Sequence, residues 1–293
     1  MRGLDKIATL LMLVMALWAF FGEDREGNPQ PRIPPMAEAP QPPPPVLVPP
    51  QGDRVPPQGD RVPLPPPSPR DPVFEVQGGG GGGNSTGTAF SVDQSGLWLT
   101  ARHVAQGCRQ IGLRGRQGWV RGTLAWAHPQ ADVAFLRTQG GTPPFVLAGD
   151  APVRGMDGFG MGFPQGKPGA VQGRLLGRAQ MQARGLFQGR APTLEWAEVR
   201  RAPSIRGSLG GISGGPLLDA NGNVLGVMVA EEPRRGRFST AAPETLLAFA
   251  GPDRQMQRAA PGTRAIAVVP DRFGAVADQL RSGMRIAQVM CQG

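Results

Sequence analysis

Ser213 lies in the run Gly211-Ile212-Ser213-Gly214-Gly215, which leads through Pro216 into an apolar pair and an Asp-Ala-Asn-Gly turn. A serine hydroxyl becomes a nucleophile when a base accepts its proton, and the base needs a carboxylate to hold its tautomer and offset the imidazolium charge. Glycines beside the serine let backbone N–H groups come close and point at a developing oxyanion. The chain offers two histidines, His103 and His128. His103 lies in GLWLTARHVAQGC, at the end of an apolar strand pattern and at the opening of a helical turn. Asp132 lies in HPQADVAFLR, where it starts a second apolar strand. These residues supply the order His, Asp, Ser. Each also has a plainer reading: a glycine-rich turn for Ser213, a packing histidine for His103 and a strand-start cap for Asp132. Asp150 and Asp157 are rival carboxylates in loop-like sequence, and His128 reads as a loop residue near Asp132.

The G-x-S-x-G spacing also matches the nucleophile elbow of α/β-hydrolases, whose order is Ser, then Asp or Glu, then His. No histidine follows residue 128, so that order is not available. The surroundings argue the same way. From Thr86 to Val229 the chain runs in short apolar segments broken by Gly, Pro and turn residues, such as GTAFSV, LWLTA, WVRGTLAWA, DVAFLR and NVLGVMVA. That pattern predicts an all-β barrel or sandwich. After Pro243, ETLLAFAG and DRFGAVADQLRSGMRIAQVM have helix-compatible apolar spacing, so a partly helical tail is expected.

With these elements in place, TARHV, ADVAFLR and GISGGPLLDANGNVLGV resemble the His, Asp and Ser boxes of the chymotrypsin-like (trypsin-fold) serine peptidases. GFGMGFPQG followed by VQGRLLG is similar to the middle segment of the bacterial HtrA/Deg-like branch. The resemblance spans roughly residues 84–245. It implies two six-stranded β-barrels with the active site in the cleft between them. It makes Ser213 the nucleophile, His103 the general acid/base and Asp132 the residue that orients His103. The N–H groups of Gly211 and Ser213 would form the oxyanion hole. Ile212 stands where HtrA-like enzymes often have Asn, and Val104 stands where secreted animal enzymes have Cys. Gly207, six residues before Ser213, replaces the Asp of trypsin-like specificity and disfavours Lys or Arg at P1. Val229, Ala230 and Ser239 are the expected pocket walls, apolar and modest, for small to medium aliphatic P1 residues. The residues after Pro243 are too few for the PDZ domain usual in Deg enzymes. EEPRRGR, residues 231–237, is a charged insertion placed to occlude or gate the pocket.

The remaining composition sets the surroundings. The net charge is +9, but only Lys6 and Lys167 are lysines, and the arginines are scattered with no run longer than two. Nucleic-acid binding is therefore not expected. Two histidines and two cysteines are too few and dispersed for a metal cluster, and no cofactor is called for. Cys108 and Cys291 either pair as a disulfide or remain free thiols.

Residues 7–22 form an uncharged apolar run preceded by Arg2 and Lys6 and followed by Glu23, Asp24 and Glu26. It reads as a signal anchor or a cleaved signal peptide, with the rest of the chain in the periplasm or outside the cell. Residues 29–72 hold 19 of the 33 prolines and the tandem repeat PPQGDRV, and six glycines follow at 78–83. Such a segment cannot bury a core and reads as an extended linker over 23–83. The expected domains are an anchor (1–22), a disordered linker (23–83), a peptidase domain (84–245) and a C-terminal extension (246–293). The leading functional reading is a membrane-tethered serine endopeptidase acting on exported or unfolded protein. A catalytically latent binding or scaffolding domain of the same fold is the alternative, with an esterase as a third class.

Overall fold

The computed structural model describes residues 63–78, 83–185, 187–250, 256–259, 262 and 264–293. The apolar run at 7–22 and the PPQGDRV repeats lie outside the described residues. Among these residues, thirteen strands form two sheets. One is a closed barrel in the order β13-β2-β3-β6-β5-β4. It is built from β2 (Ser85–Ser91), β3 (Leu97–Thr100), β4 (Gln110–Gly115), β5 (Gly118–Ala127), β6 (Ala134–Arg137) and β13 (Ile286–Gln292). The other sheet contains β1 (Val73–Gly78), β7 (Asp157–Gly162), β8 (Gly169–Gly185), β9 (Gly189–Ala202), β10 (Pro216–Leu218), β11 (Val224–Glu232) and β12 (Arg237–Ala241). Its order is β1-β8-β7-β10-β11-β12-β9, and β9 pairs back onto β8, so six of its strands also return on themselves.

Strand alternation assigns the two faces of the barrel. On β2 and β3, Ala89 and Trp98 join Val104, Ile111, Leu113 and Val289 in one buried cluster. Their chain neighbours Phe90 and Leu99 point the other way and pack with Phe135, Phe159, Leu218 and Val227 from both sheets. Strands buried on both faces read as continuous apolar runs, as LWL of β3 and AFL of β6 do. The second sheet has its own core around Leu175, Leu194, Trp196, Leu217, Met228 and Phe238.

The structure corrects two expected boundaries. The linker was expected to extend to residue 83, but Leu64 is already buried in the second core and β1 pairs in parallel with β8, Val76 opposite Ala183. The C-terminal extension is also more than an appendage. A helix at Phe273–Ser282 ends at Gly283, and β13 then closes the barrel between β2 and β4. A disulfide joins Cys291 on β13 to Cys108, five residues after His103. A bridge spanning 183 residues stabilises by about 5 kcal/mol on the loop-entropy model. The expected helix after Pro243 is present as Pro243–Ala250.

Candidate active site

His103 lies on a single helical turn, α1 (Arg102–Ala105), that follows the end of β3. Arg102 anchors the turn by donating to the carbonyls of His128 (2.6 Å) and Pro129 (3.0 Å). Asp132 precedes β6, whose Ala134 pairs with Thr100 on β3, so the two strands bring their ends together. The Asp132 carboxylate then engages His103 twice. Oδ2 lies 2.6 Å from Nδ1, and Oδ1 accepts the backbone N–H of His103 at 2.9 Å. The Asp132 side chain is 4% exposed and that of His103 25%. Burial opposes the charged imidazolium, but the charge and hydrogen bond of Asp132 outweigh it together and hold the His103 pKa above its usual value.

Ser213 is reached by the loop between β9 and β10. Gly211 has φ +98° and Gly214 φ +85°, and a Cβ on Gly214 would lie 2.2 Å from the Thr88 carbonyl oxygen. Only glycine fits there. Thr88 on β2 connects the barrel to this loop. Its N–H donates to the Ser213 carbonyl at 2.8 Å, and its hydroxyl donates to the Gly211 carbonyl at 2.8 Å while accepting from the Phe163 N–H at 3.1 Å. The N–H groups of Gly210, Ile212, Gly214 and Gly215 are all taken by internal acceptors. Among the described residues, those of Gly211 and Ser213 are not.

His103, Asp132 and Ser213 line one cavity of about 260 Å³. Val229 and Ala230 line it too, with Leu209, Ile212 and Met228 as further apolar lining. Gly207 and Ser239 do not reach it. Gly207 is exposed and its carbonyl accepts from Arg201 at 2.5 Å. Ser239 is buried in a cross-strand row, Ala230–Ser239–Glu195, over β11, β12 and β9. Burial pushes the Glu195 carboxyl up to about 7 against hydrogen bonds from Ser239 and Thr193, and the charge of Glu232 adds to the rise.

Other candidates have plain structural roles. His128 Nδ1 accepts the N–H groups of Gln130 and Ala131. Asp157 pairs with Arg174 at 3.0 Å, and Asp150 accepts the Gly262 N–H at 3.1 Å. Within the charged insertion, the Glu231 carboxylate accepts a short hydrogen bond from the Ser208 hydroxyl and one from the Leu209 N–H at 2.6 Å, so it fixes the loop ahead of Ser213. Sequence reasoning missed Thr88 and the two cavity residues Val76 and Gln77, which come from the expected linker. The alternation Phe74-Glu75-Val76-Gln77 was a usable strand signal.

Residues 87–227 match a trypsin-like peptidase domain family. An uncharacterized protein of Sinorhizobium fredii, y4bJ, is 29% identical over 154 residues, covering 52% of this chain and 23% of its own length. The serine protease MT3772 of Mycobacterium tuberculosis is 28% identical over 144 residues, covering 48% of this chain and 35% of its own. The chain therefore spans about a quarter to a third of the length of these curated relatives. Among solved structures, the inactive form of Rv3671c protease is 20% identical with TM-score 0.48, over 57% of this chain and 86% of that one. The apo MamO protease domain of Magnetospirillum magneticum is 21% identical with TM-score 0.45, over 58% of this chain and 92% of that one.

Proposed function

We propose that this chain, which carries a trypsin-like peptidase domain over residues 87–227, is a serine endopeptidase that cleaves exported or unfolded proteins through an acyl-enzyme intermediate. The observation that carries the reading is the double contact of Asp132 with His103, in a cavity that both share with Ser213. In this reading Ser213 attacks the scissile carbonyl and His103 takes its proton through Nε2. Asp132 keeps the proton of neutral His103 on Nδ1 and stabilises the imidazolium as it forms. The carbonyl oxygen turns towards the N–H groups of Gly211 and Ser213, where one lost donor would cost on the order of 10²–10³ in rate. His103 returns the proton to the leaving amine, and water then repeats the sequence on the ester.

Substrate has a natural place to lie. β10 pairs with β11 only as far as Val227, which leaves one edge of Val229–Glu231 open to an added peptide strand. Val76 and Gln77 face the same cavity. Its apolar lining supports small to medium aliphatic P1 residues. Export and tethering through residues 7–22 belong to the same proposal, supported by the charge asymmetry around that run and by the Cys108–Cys291 bridge, which suits an oxidising compartment.

The test is digestion of a reduced, alkylated protein substrate by the full chain beside Ser213→Ala. The reading expects fragments from the wild type and none from the variant at matched fold. Equal digestion by both would overturn it.

A further inference from the structure

We propose that the tip of the β4–β5 hairpin is a docking surface for an anionic lipid bilayer. The proposal rests on the barrel alone and is independent of the peptidase reading. The tip reads Arg114-Gly115-Arg116-Gln117-Gly118-Trp119-Val120-Arg121. In sequence these arginines look scattered, but the hairpin register sets Arg114 opposite Trp119 and Gly115 opposite Gly118, which gathers them at one end of the barrel. Trp119 is 45% and Val120 40% exposed, among the most exposed large apolar side chains described. Among the described residues, the side chains of Arg114, Arg116 and Arg121 make no ion pair or hydrogen bond.

Charge is one-sided here. None of the six barrel strands contains Asp or Glu, and between residues 94 and 149 the only carboxylate side chain is Asp132, which is buried against His103. The nearby Asp93 is held by Leu97, Ser95 and Arg137. Beneath the tip, a cavity of about 260 Å³ opens into the barrel end, with Trp98, Leu113 and Ala287 as buried lining and Arg114, Arg116 and Val120 as exposed lining.

An indole and a valine flanked by unpaired guanidinium groups suit the boundary between acyl chains and acidic headgroups. The apolar parts enter the interface while the arginines stay with the phosphates. A soluble acidic partner would use the charge but leave Trp119 and Val120 without an apolar medium. The geometry also keeps the candidate active site clear. β5 runs from the tip to Ala127, opposite Ala134 and close to Asp132, so nine strand steps place the cleft about 30 Å from the tip.

The test uses the full chain with its disulfide intact and an environment-sensitive NBD label on Val120→Cys. A label at the tip reports the hairpin even when residues 7–22 hold the chain on a vesicle. On phosphatidylcholine vesicles containing phosphatidylglycerol, the label is expected to shift to the blue and brighten, and high salt should suppress the change. Pure phosphatidylcholine should give no shift. Arg116→Gln should weaken the response about fivefold, and Arg114→Gln, Arg116→Gln and Arg121→Gln together should abolish it. These side chains are exposed, so fold is expected to survive and is checked by circular dichroism. An unchanged label on vesicle-bound chain would overturn the proposal, as would equal shifts on both vesicle types. A larger shift with single-stranded DNA or polyglutamate in lipid-free buffer would also overturn it, and would point to an acidic macromolecule.

Discussion

Asp132 holds His103 by both of its oxygens, one on the ring nitrogen and one on the backbone N–H, and this fixes where the imidazole sits as well as which tautomer it adopts. The contact has opposite consequences for stability and for activity. The folded pKa of His103 is raised, so its protonated form is the one that folding favours. Its contribution to stability is fully present below the unfolded value near 6.5 and is lost as pH rises through the folded value. In the proposed mechanism turnover requires the neutral ring and should rise over that same window. Thermal unfolding and kcat measured from pH 5 to 9 are expected to show these opposing slopes; in His103→Gln the kcat slope is removed, and the stability slope shrinks to the part that Glu195 contributes below about pH 7. Parallel slopes would contradict the assignment.

Thr88 reaches from the barrel to the loop that carries the two free N–H groups. Thr88→Val keeps the shape and leaves the Gly211 carbonyl and the Phe163 N–H without this partner. Stability is expected to fall by about 1–3 kcal/mol. Peptide kcat should fall with little change in KM, because the donors at Gly211 and Ser213 lose their aim. A change in KM alone would mean that Thr88 only shapes the substrate cleft.

Val76 and Gln77 bring a strand from outside the matched peptidase domain into the cavity. Gln77→Trp fills part of the space where a peptide would lie. Peptide KM should rise severalfold while a small fluorophosphonate still labels at the wild-type rate. Unchanged KM would remove β1 from the substrate cleft.

Glu195 is a buried-side carboxyl raised to about 7 from 4.5, mainly by burial. A raised carboxyl favours the folded state below about 4.5 and loses that contribution as pH rises to about 7. Glu195→Gln keeps hydrogen-bonding capacity without the charge. It should be more stable than wild type at pH 8, by on the order of 2 kcal/mol, and equal to it at pH 4. Denaturant unfolding at the two pH values checks this, and no difference at pH 8 would contradict it.

How much of this was legible in sequence depended on what constrains each segment. Ser213, His103 and Asp132 stood out because the chemistry proposed for them needs glycines, a strand end and a strand start at fixed places. β13 did not, because IAQVMCQ follows a true helical period and its assignment depends on pairing with β2, nearly 200 residues away in sequence. Gly283, which ends the helix, was the local sign of the change. β1 was hidden by its Pro-rich and Gly-rich flanks, although its own residues alternate. Gly207 was placed by counting back from Ser213 and Ser239 as an expected pocket wall, whereas the cavity is lined by the side chains that the local backbone turns inward. The arginine cluster of the β4–β5 hairpin arises from strand register, which a count of runs does not capture.

The most direct test of the central claim is fluorophosphonate labelling of the full chain, read by peptide mapping, beside Ser213→Ala and His103→Ala. The account predicts one adduct on Ser213, absent in the Ser213→Ala variant and nearly absent in the His103→Ala variant. A folded wild-type protein that takes no label, or takes it on another residue, would contradict it.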